Sequence, residues 1–241
     1  MRTGSAKHAV TAVGWTASAC THAGCVRTGN EDRYLVREEQ GLFVVADGMG
    51  GHDAGDVAST FVTETLADAA SATAIEQKLQ EANRQLQHRA ARTKRGVVGT
   101  TVVALLAGAE EFVCFWAGDS RCYLQRDLTL VQVTNDHSLV RQLVDEGRLP
   151  AHQAKTYPRA NIITRAVGAL PDLILERRRG LVRRGDVFLL CSDGLWGVLD
   201  DTEIAEIART APVASAADAL VTLALSRGAP DNVTAVVAAR L

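Results

Sequence analysis

The sequence predicts an α+β fold: a four-layer α-β-β-α sandwich in which two antiparallel sheets are flanked by helix pairs. Three observations point there. Short runs rich in Val, Leu and Phe read as strands, most of them beside Gly, Asp or Asn. Long stretches with helical spacing come in pairs. The order is strands, a helix pair, more strands, a second helix pair and a last strand, which is unlike the alternation of a parallel sheet.

The elements follow along the chain. "LFVVA" (42–46) is the first predicted strand. Helices are predicted over 55–72 and 75–92. The second places Ile75, Leu79, Ala82 and Leu86 in one stripe, with Gln, Lys, Glu and Arg elsewhere. "TTVVALLA" (100–107), "EFVCFWA" (111–117) and "RCYLQ" (121–125) read as strands, the last two joined at Gly118-Asp119-Ser120 by a tight connection that reads as a hairpin. The segment 136–168 holds the amphipathic "SLVRQLVDEG" and the irregular "RLPAHQAKTYPRAN". That is too long for an ordinary connection and reads as a flap beside an active site. The arginine-rich "ERRRGLVRRGD" (176–186) reads as a solvated hairpin whose arginines also protect a sheet edge, rather than as a partner surface. "DVFLLC" (186–191) is a strand, 202–210 and 215–227 are helices, and "VTAVVAAR" (233–240) is the closing strand. Asp200 or Asp201 is the N-cap expected for the helix at 202.

Composition narrows the function classes. The 241 residues are 47% hydrophobic, enough for one sizeable core, and 9–241 reads as a single domain after a short tail at 1–8. A net charge of -2 gives no ground for nucleic-acid or anionic-membrane binding. No apolar run reaches the roughly 20 residues that span a bilayer, and the N-terminus lacks a signal-peptide pattern. Five cysteines, an odd number without a C-x-x-C pair, fit a reducing cytoplasm better than a zinc or disulfide framework. Cys114 and Cys122 lie in apolar runs and read as small buried hydrophobes.

Four aspartates share one setting, at the end of an apolar strand beside a small residue: Asp47-Gly48, Gly118-Asp119-Ser120, Asp193-Gly194 and Asp231-Asn232. The first three follow strands and the fourth precedes one. An antiparallel last strand therefore brings all four to one edge of the sheets. Carboxylates crowded in this way raise one another's pKa. Hard divalent cations such as Mg2+ or Mn2+ relieve that repulsion through all-oxygen ligation. Any single Asp-Gly is a common turn pair. The Gly-rich stretch after Asp47 lacks the Gly-Lys-Ser/Thr ending of a P-loop, and no G-x-G-x-x-G opens a helix there.

"VRTGNEDR" (26–33), "VVADGMGGHDAGDVAS" (44–59), "GTT" (99–101), "GDSR" (118–121), "DHS" (136–138), "LLCSDGLW" (189–196) and "DNVTAVV" (231–237) occur in order over nearly the whole chain. Together they resemble the successive motifs of PP2C-type, metal-dependent serine/threonine protein phosphatases. "DGMGGH" in place of "DGHGG" is similar to the bacterial branch, whose members reverse the work of Hanks-type kinases.

The resemblance implies a β-sandwich flanked by helices, and it implies site roles. Asp47 bridges two metal ions, Mn2+ or Mg2+, and the Gly48 carbonyl completes one coordination sphere. Asp193 and Asp231 hold the other ion, and Asp119 with Asp193 forms a third, weaker site. Glu31 and Asp32 contact metal-bound waters, and Arg27 grips the phosphate. Relatives with "DGHGG" carry a histidine proposed as general acid where this chain has Met49, whose thioether has no proton to donate. Metal-bound water takes that role in this reading, and His52 is not expected to replace it. His137 reads as structural.

The implied partners are phosphorylated proteins, including a Ser/Thr kinase or its targets, with no nucleic acid or membrane. The implied state is a cytoplasmic monomer. Two alternatives stand beside this reading. One is a phosphatase of a partner-switching system acting on a small regulator. The other is a catalytically weak relative that only binds phosphoproteins.

Overall fold

The computed structural model describes residues 14–50, 54–93 and 98–241. The predicted tail at 1–8 and His52 lie outside the described residues. The elements are β1 (Trp15–His22), β2 (Asp32–Arg37), β3 (Leu42–Met49), α1 (Ala54–Leu66), α2 (Ala72–Thr93), β4 (Gly99–Thr100), β5 (Val102–Ala107), β6 (Glu111–Ala117), β7 (Arg121–Arg126) and β8 (Thr129–Gln132), then α3 (Leu139–Asp145), β9 (Glu176–Leu181), β10 (Val187–Cys191), α4 (Asp193–Trp196), α5 (Asp201–Thr210), α6 (Val213–Ser226) and β11 (Val233–Arg240). One sheet runs β1-β11-β10-β7-β8 and the other β2-β3-β5-β6-β9, with β4 paired to β3, so Gly118-Asp119-Ser120 does not close the predicted hairpin but carries the chain from β6 in one sheet to β7 in the other. Every strand pair is antiparallel.

The four layers follow from the period of two along each strand. In β3, Leu42 and Val44 face α1 and α2, packing on Val62, Leu66, Ile75, Leu79 and Leu86. Their neighbours Phe43 and Val45 point the other way, into the space between the sheets. In β10, Phe188 and Leu190 meet them there, while Leu189 and Cys191 face Leu220 and Val221 of α6. Strands buried on both faces read as unbroken apolar runs, which is why these were visible in the sequence. Trp15, Phe43 and Phe188 form the aromatic centre, with ring centroids 5.9 Å apart from Trp15 to each of the other two. Cys114 and Cys122 are both buried in this middle layer.

Several boundaries differ from the sequence reading, each for a local reason. The first helix ends at Leu66 rather than 72, and Ser71 caps the next, its Oγ accepting the Ala74 amide at 3.1 Å. The 100–107 strand divides at Thr101, whose amide turns to the Asp47 carbonyl at 2.8 Å. α5 is capped by Asp200, which accepts the Thr202 and Glu203 amides at 2.9 Å in a capping box. The arginine run forms the edge strand β9 and a turn closed by Asp186, which binds the Arg183 amide at 2.7 Å. The flap contains α3 and a 3-10 turn at Ala151–Thr156. Bridges Ser138–Ile163 and Thr100–Val167 fasten its base.

Candidate active site

The site is built first on β3. An Asp-Gly pair ordinarily turns, and the sequence reading ends the strand before it; here β3 runs through Asp47 and Gly48 to Met49. Asp47 stays extended because its backbone is fully engaged. Its amide donates to Thr101 Oγ1 at 3.0 Å, and its carbonyl accepts from the Thr101 amide at 2.8 Å and from Thr100 Oγ1 at 2.9 Å. Thr101 Oγ1 in turn lies 2.7 Å from Ser120 Oγ. Gly48 lets α1 approach: a Cβ there would stand 2.2 Å from the Gly55 carbonyl oxygen.

The other aspartates arrive from separate elements. Asp119 follows β6 through Gly118, which adopts φ +118° with Thr101 packed where its Cβ would be. The Trp196 indole donates to the Asp119 carbonyl at 3.0 Å. Asp193 opens the one-turn helix α4. Asp231 stands before β11, where the Asn232 side chain pins the chain: Oδ1 accepts the Glu31 amide at 2.8 Å, and Nδ2 donates to the carbonyls of Ala23 and Gly29 at 3.0 and 2.8 Å.

The result is one cavity of about 560 Å³ at the end of the sandwich. Asp47, Asp119, Asp193 and Asp231 line it, with Arg27 and Glu31 at its lip and Asn161 and Ile163 reaching in from the flap. Asp32, opposite Asp47 in the β2–β3 register, lies behind it, fully buried, and accepts from Ser192 Oγ at 2.7 Å and Thr234 Oγ1 at 2.6 Å.

Desolvation and mutual repulsion raise these carboxylates together. Burial and the neighbouring aspartates Asp32 and Asp193 hold Asp47 well above the usual range. Desolvation, with repulsion from Asp193, lifts Asp119 to about 8. Desolvation, with Asp231 beside it, lifts Asp193 to about 6, and desolvation lifts Asp32 to about 7. Arg27 forks onto Asp231, Nε to Oδ1 at 2.9 Å and Nη2 to Oδ2 at 2.8 Å.

A set of close, desolvated, oxygen-only donors whose charges repel is matched to hard divalent cations. Among the described residues no three acidic or sulfur and nitrogen side chains close on a single point as a ready cage.

The sequence profile described as "Protein phosphatase 2C" matches residues 25–225. The chain belongs to this family. It is 35% identical over 236 residues to the "Serine/threonine phosphatase stp" of Listeria welshimeri, covering 91% of this chain and 94% of that one. Among solved structures, "PppA, a key regulatory component of T6SS in Pseudomonas aeruginosa" superposes with a TM-score of 0.89 at 38% identity, covering 95% of this chain and 99% of that one. The catalytic domain of the serine/threonine phosphatase PstP, solved with two manganese ions, gives a TM-score of 0.86 at 35% identity, covering 94% and 98%. The phosphatase fold and the bacterial branch read from the motifs agree with these relatives.

Several residues of this phosphatase site were not singled out in the sequence. Thr101, Ser120, Ser192, Thr234 and Asn232 orient the acidic groups, and each stands in or beside a motif that carries an aspartate. A hydroxyl or amide adjoining a strand-end aspartate was the available signal. Asn161 could not be anticipated, since it comes from the irregular flap. Met49 lines the cavity, and its thioether offers no proton. His137 is buried beneath the site: Nδ1 accepts the Gly118 amide at 3.2 Å, and Nε2 lies 3.2 Å from Glu176 Oε1. Desolvation and the nearby Arg165 lower its pKa, so it is a neutral strut.

Proposed function

We propose that the protein hydrolyses phosphoserine and phosphothreonine in proteins with the help of two Mn2+ or Mg2+ ions. The observation that carries this reading is the convergence of Asp47, Asp119, Asp193 and Asp231 on one cavity with an arginine at its lip. Family membership and the serine/threonine phosphatase names of the relatives support it. Asp47 and the Gly48 carbonyl would hold one ion, and Asp193 with Asp231 would hold the other. Asp119 with Asp193 would hold a third ion more weakly, and Glu31 and Asp32 would order water around the ions. When bound, the ions lower the pKa of water enough to furnish the nucleophile near neutrality and offset charge on the phosphoryl group.

The chain's own residues do the rest. Thr100 and Thr101 hold the Asp47 backbone rigid, so its carboxylate needs no reorganisation. Arg27, with its side chain 60% exposed, presents a planar fork that a phosphate dianion takes over from Asp231. The flap, through Asn161 and Ile163, narrows the cavity over the phosphorylated side chain.

The substrates include a Hanks-type kinase or its targets, and the enzyme works as a cytoplasmic monomer; the bacterial form of the motifs supports this part of the reading. No helix among the described residues is long and apolar enough to cross a membrane. Neither alternative is favoured: all four cavity aspartates are present, and the relatives are named as protein phosphatases. Purified protein is expected to release phosphate from a phosphothreonine peptide only with added Mn2+ or Mg2+, and Asp193→Ala to abolish turnover. Activity that persists in excess EDTA would overturn the mechanism.

A further inference from the structure

A second cavity opens beside the one lined by the four aspartates. It has about 310 Å³ and shares Asp119, Asp193 and Asn161 with its neighbour, so the two are compartments of one cleft. The flap supplies most of the remaining wall, and the sequence makes that wall apolar. Val140 and Val144 are four residues apart in α3, which sets them on one face of the helix. Ala151 and Ala154 are three apart in the 3-10 turn and likewise share a face. Trp196 completes the lining from the body of the domain, and it is fixed in place. Its indole donates to the Asp119 carbonyl at 3.0 Å, and the Arg121 guanidinium lies 3.6 Å over its ring.

The charged groups that the flap side adds to this compartment are already matched. Arg121 forks onto Asp136, Nε to Oδ1 at 2.9 Å and Nη2 to Oδ2 at 2.6 Å. Arg141 holds Asp145 at 3.0 Å, and the Ser138 hydroxyl accepts the Arg141 amide at 3.3 Å. An acidic side chain entering here meets no unpaired cationic side chain among the described residues. An apolar one meets valine, alanine and tryptophan. A flap serving only as a lid would close this space with side chains larger than alanine, since an unfilled apolar space forgoes packing contacts.

We propose that this compartment receives an apolar side chain of the substrate, one or two residues from the phosphorylated position, and so selects phosphoproteins by local sequence. The inference rests on the phosphatase reading and adds a substrate class to it. The two compartments adjoin through Asp119, Asp193 and Asn161, and consecutive Cα atoms of a peptide are 3.8 Å apart. A phosphate in the metal cavity therefore leaves a near neighbour of the phosphorylated residue at the mouth of the flap compartment. Burying a leucine-sized side chain there corresponds to roughly tenfold to hundredfold in affinity. The contact is the same before and during phosphoryl transfer, so the gain falls in KM and leaves kcat unchanged.

The test uses the full chain with Mn2+ and phosphothreonine peptides on an alanine background. Leu, Asp or Lys is placed singly at each of the two positions before and after the phosphothreonine. At one position at least, Leu should raise kcat/KM about tenfold or more over Ala through KM, and Asp should give no gain there. Val140→Asp in α3 and Ala154→Trp in the 3-10 turn, which charges the wall and fills the space respectively, should each bring the Leu-to-Ala ratio near one. Hydrolysis of p-nitrophenyl phosphate, which has no flanking residues, and the melting temperature should stay at wild-type values in both variants. No hydrolysis of any peptide or of p-nitrophenyl phosphate would overturn the phosphatase reading and this inference with it. Hydrolysis of the alanine peptide with no advantage for Leu at any position would overturn this inference alone. So would a preference for Lys or Asp over Leu, a Leu preference that both variants retain, or folded variants that lose p-nitrophenyl phosphate hydrolysis.

Discussion

Removing the metal ions should make the phosphatase lose stability as pH rises, which is the opposite of ordinary acid denaturation. The perturbation is chelation followed by titration from pH 6.5 to 8. Desolvation and the neighbouring carboxylates raise the folded pKa values of Asp32 to about 7 and Asp119 to about 8, above the ordinary aspartate value. A group raised in the folded state contributes stability that is complete below its unfolded pKa and lost as pH climbs through the folded one. For Asp119 alone, the loss between pH 6.5 and 8 is about 2 kcal/mol. Asp32 acts in the same direction, and the cluster shares its protons, so about 2 kcal/mol is the scale rather than a sum. In a domain of this size that lowers Tm by roughly 4–8 °C. His137 acts the other way, because burial lowers its pKa, but its contribution falls away only below about pH 6.5 and leaves this window clear. Calorimetry or circular-dichroism melting in EDTA reads the effect. Millimolar Mn2+ should reverse it, and by more at pH 8 than at 6.5, because binding requires the deprotonated carboxylates. A metal-free Tm that is flat or rising from pH 6.5 to 8, or stabilisation by Mn2+ that does not grow with pH, would refute the argument.

Substitutions at three further positions test separate parts of the structure. Arg27→Ala should lower kcat/KM on a phosphothreonine peptide at least about tenfold, and Arg27→Lys should recover little of it, because an ammonium cannot reproduce the two-pronged contact; full recovery by lysine would show that charge alone suffices. Gly48→Ala sets a methyl group 2.2 Å from the Gly55 carbonyl, so urea unfolding should show a loss of about 2 kcal/mol or more, together with lost activity. Arg121→Met leaves Asp136, whose side chain is 11% exposed, without its ion-pair partner, and removes the guanidinium stacked 3.6 Å over Trp196; a cost of about 3–5 kcal/mol is expected in the same assay.

How far the sequence was legible depended on which physical signal each element carried. β3, β5, β10 and β11 are buried on both faces, so their apolar runs announced them. β1, "WTASACTH", and β2, "DRYLVR", went unread, because each has residues open to solvent and carries polar groups where an interior strand carries Val or Leu. β9 was hidden further by three consecutive arginines, a pattern that signals solvent whether or not a sheet lies beneath. In each of these cases pairing with a hydrophobic neighbour decided the conformation, and the neighbour lies far away in sequence.

The site shows the same division at finer scale. The carboxylates could be found because an aspartate at the end of an apolar strand is an unusual expense, and four of them point to a shared charge partner. What composition and spacing could not convey is why Asp47-Gly48 remains a strand. That depends on Thr100 and Thr101 binding the Asp47 carbonyl, and on Gly55 occupying the space a Gly48 side chain would need. Local propensity favours a turn there, and tertiary hydrogen bonds override it. The pairing of Arg27 with Asp231 was equally invisible, being a contact across 204 positions. It also bears on how the site functions. A guanidinium already forked onto a carboxylate sits in the orientation that a phosphate needs, and its exposed side chain can exchange one anion for the other without a change of backbone. The same contact shields part of the acidic cluster's repulsion, so Arg27 supports the site before substrate arrives as well as when it binds.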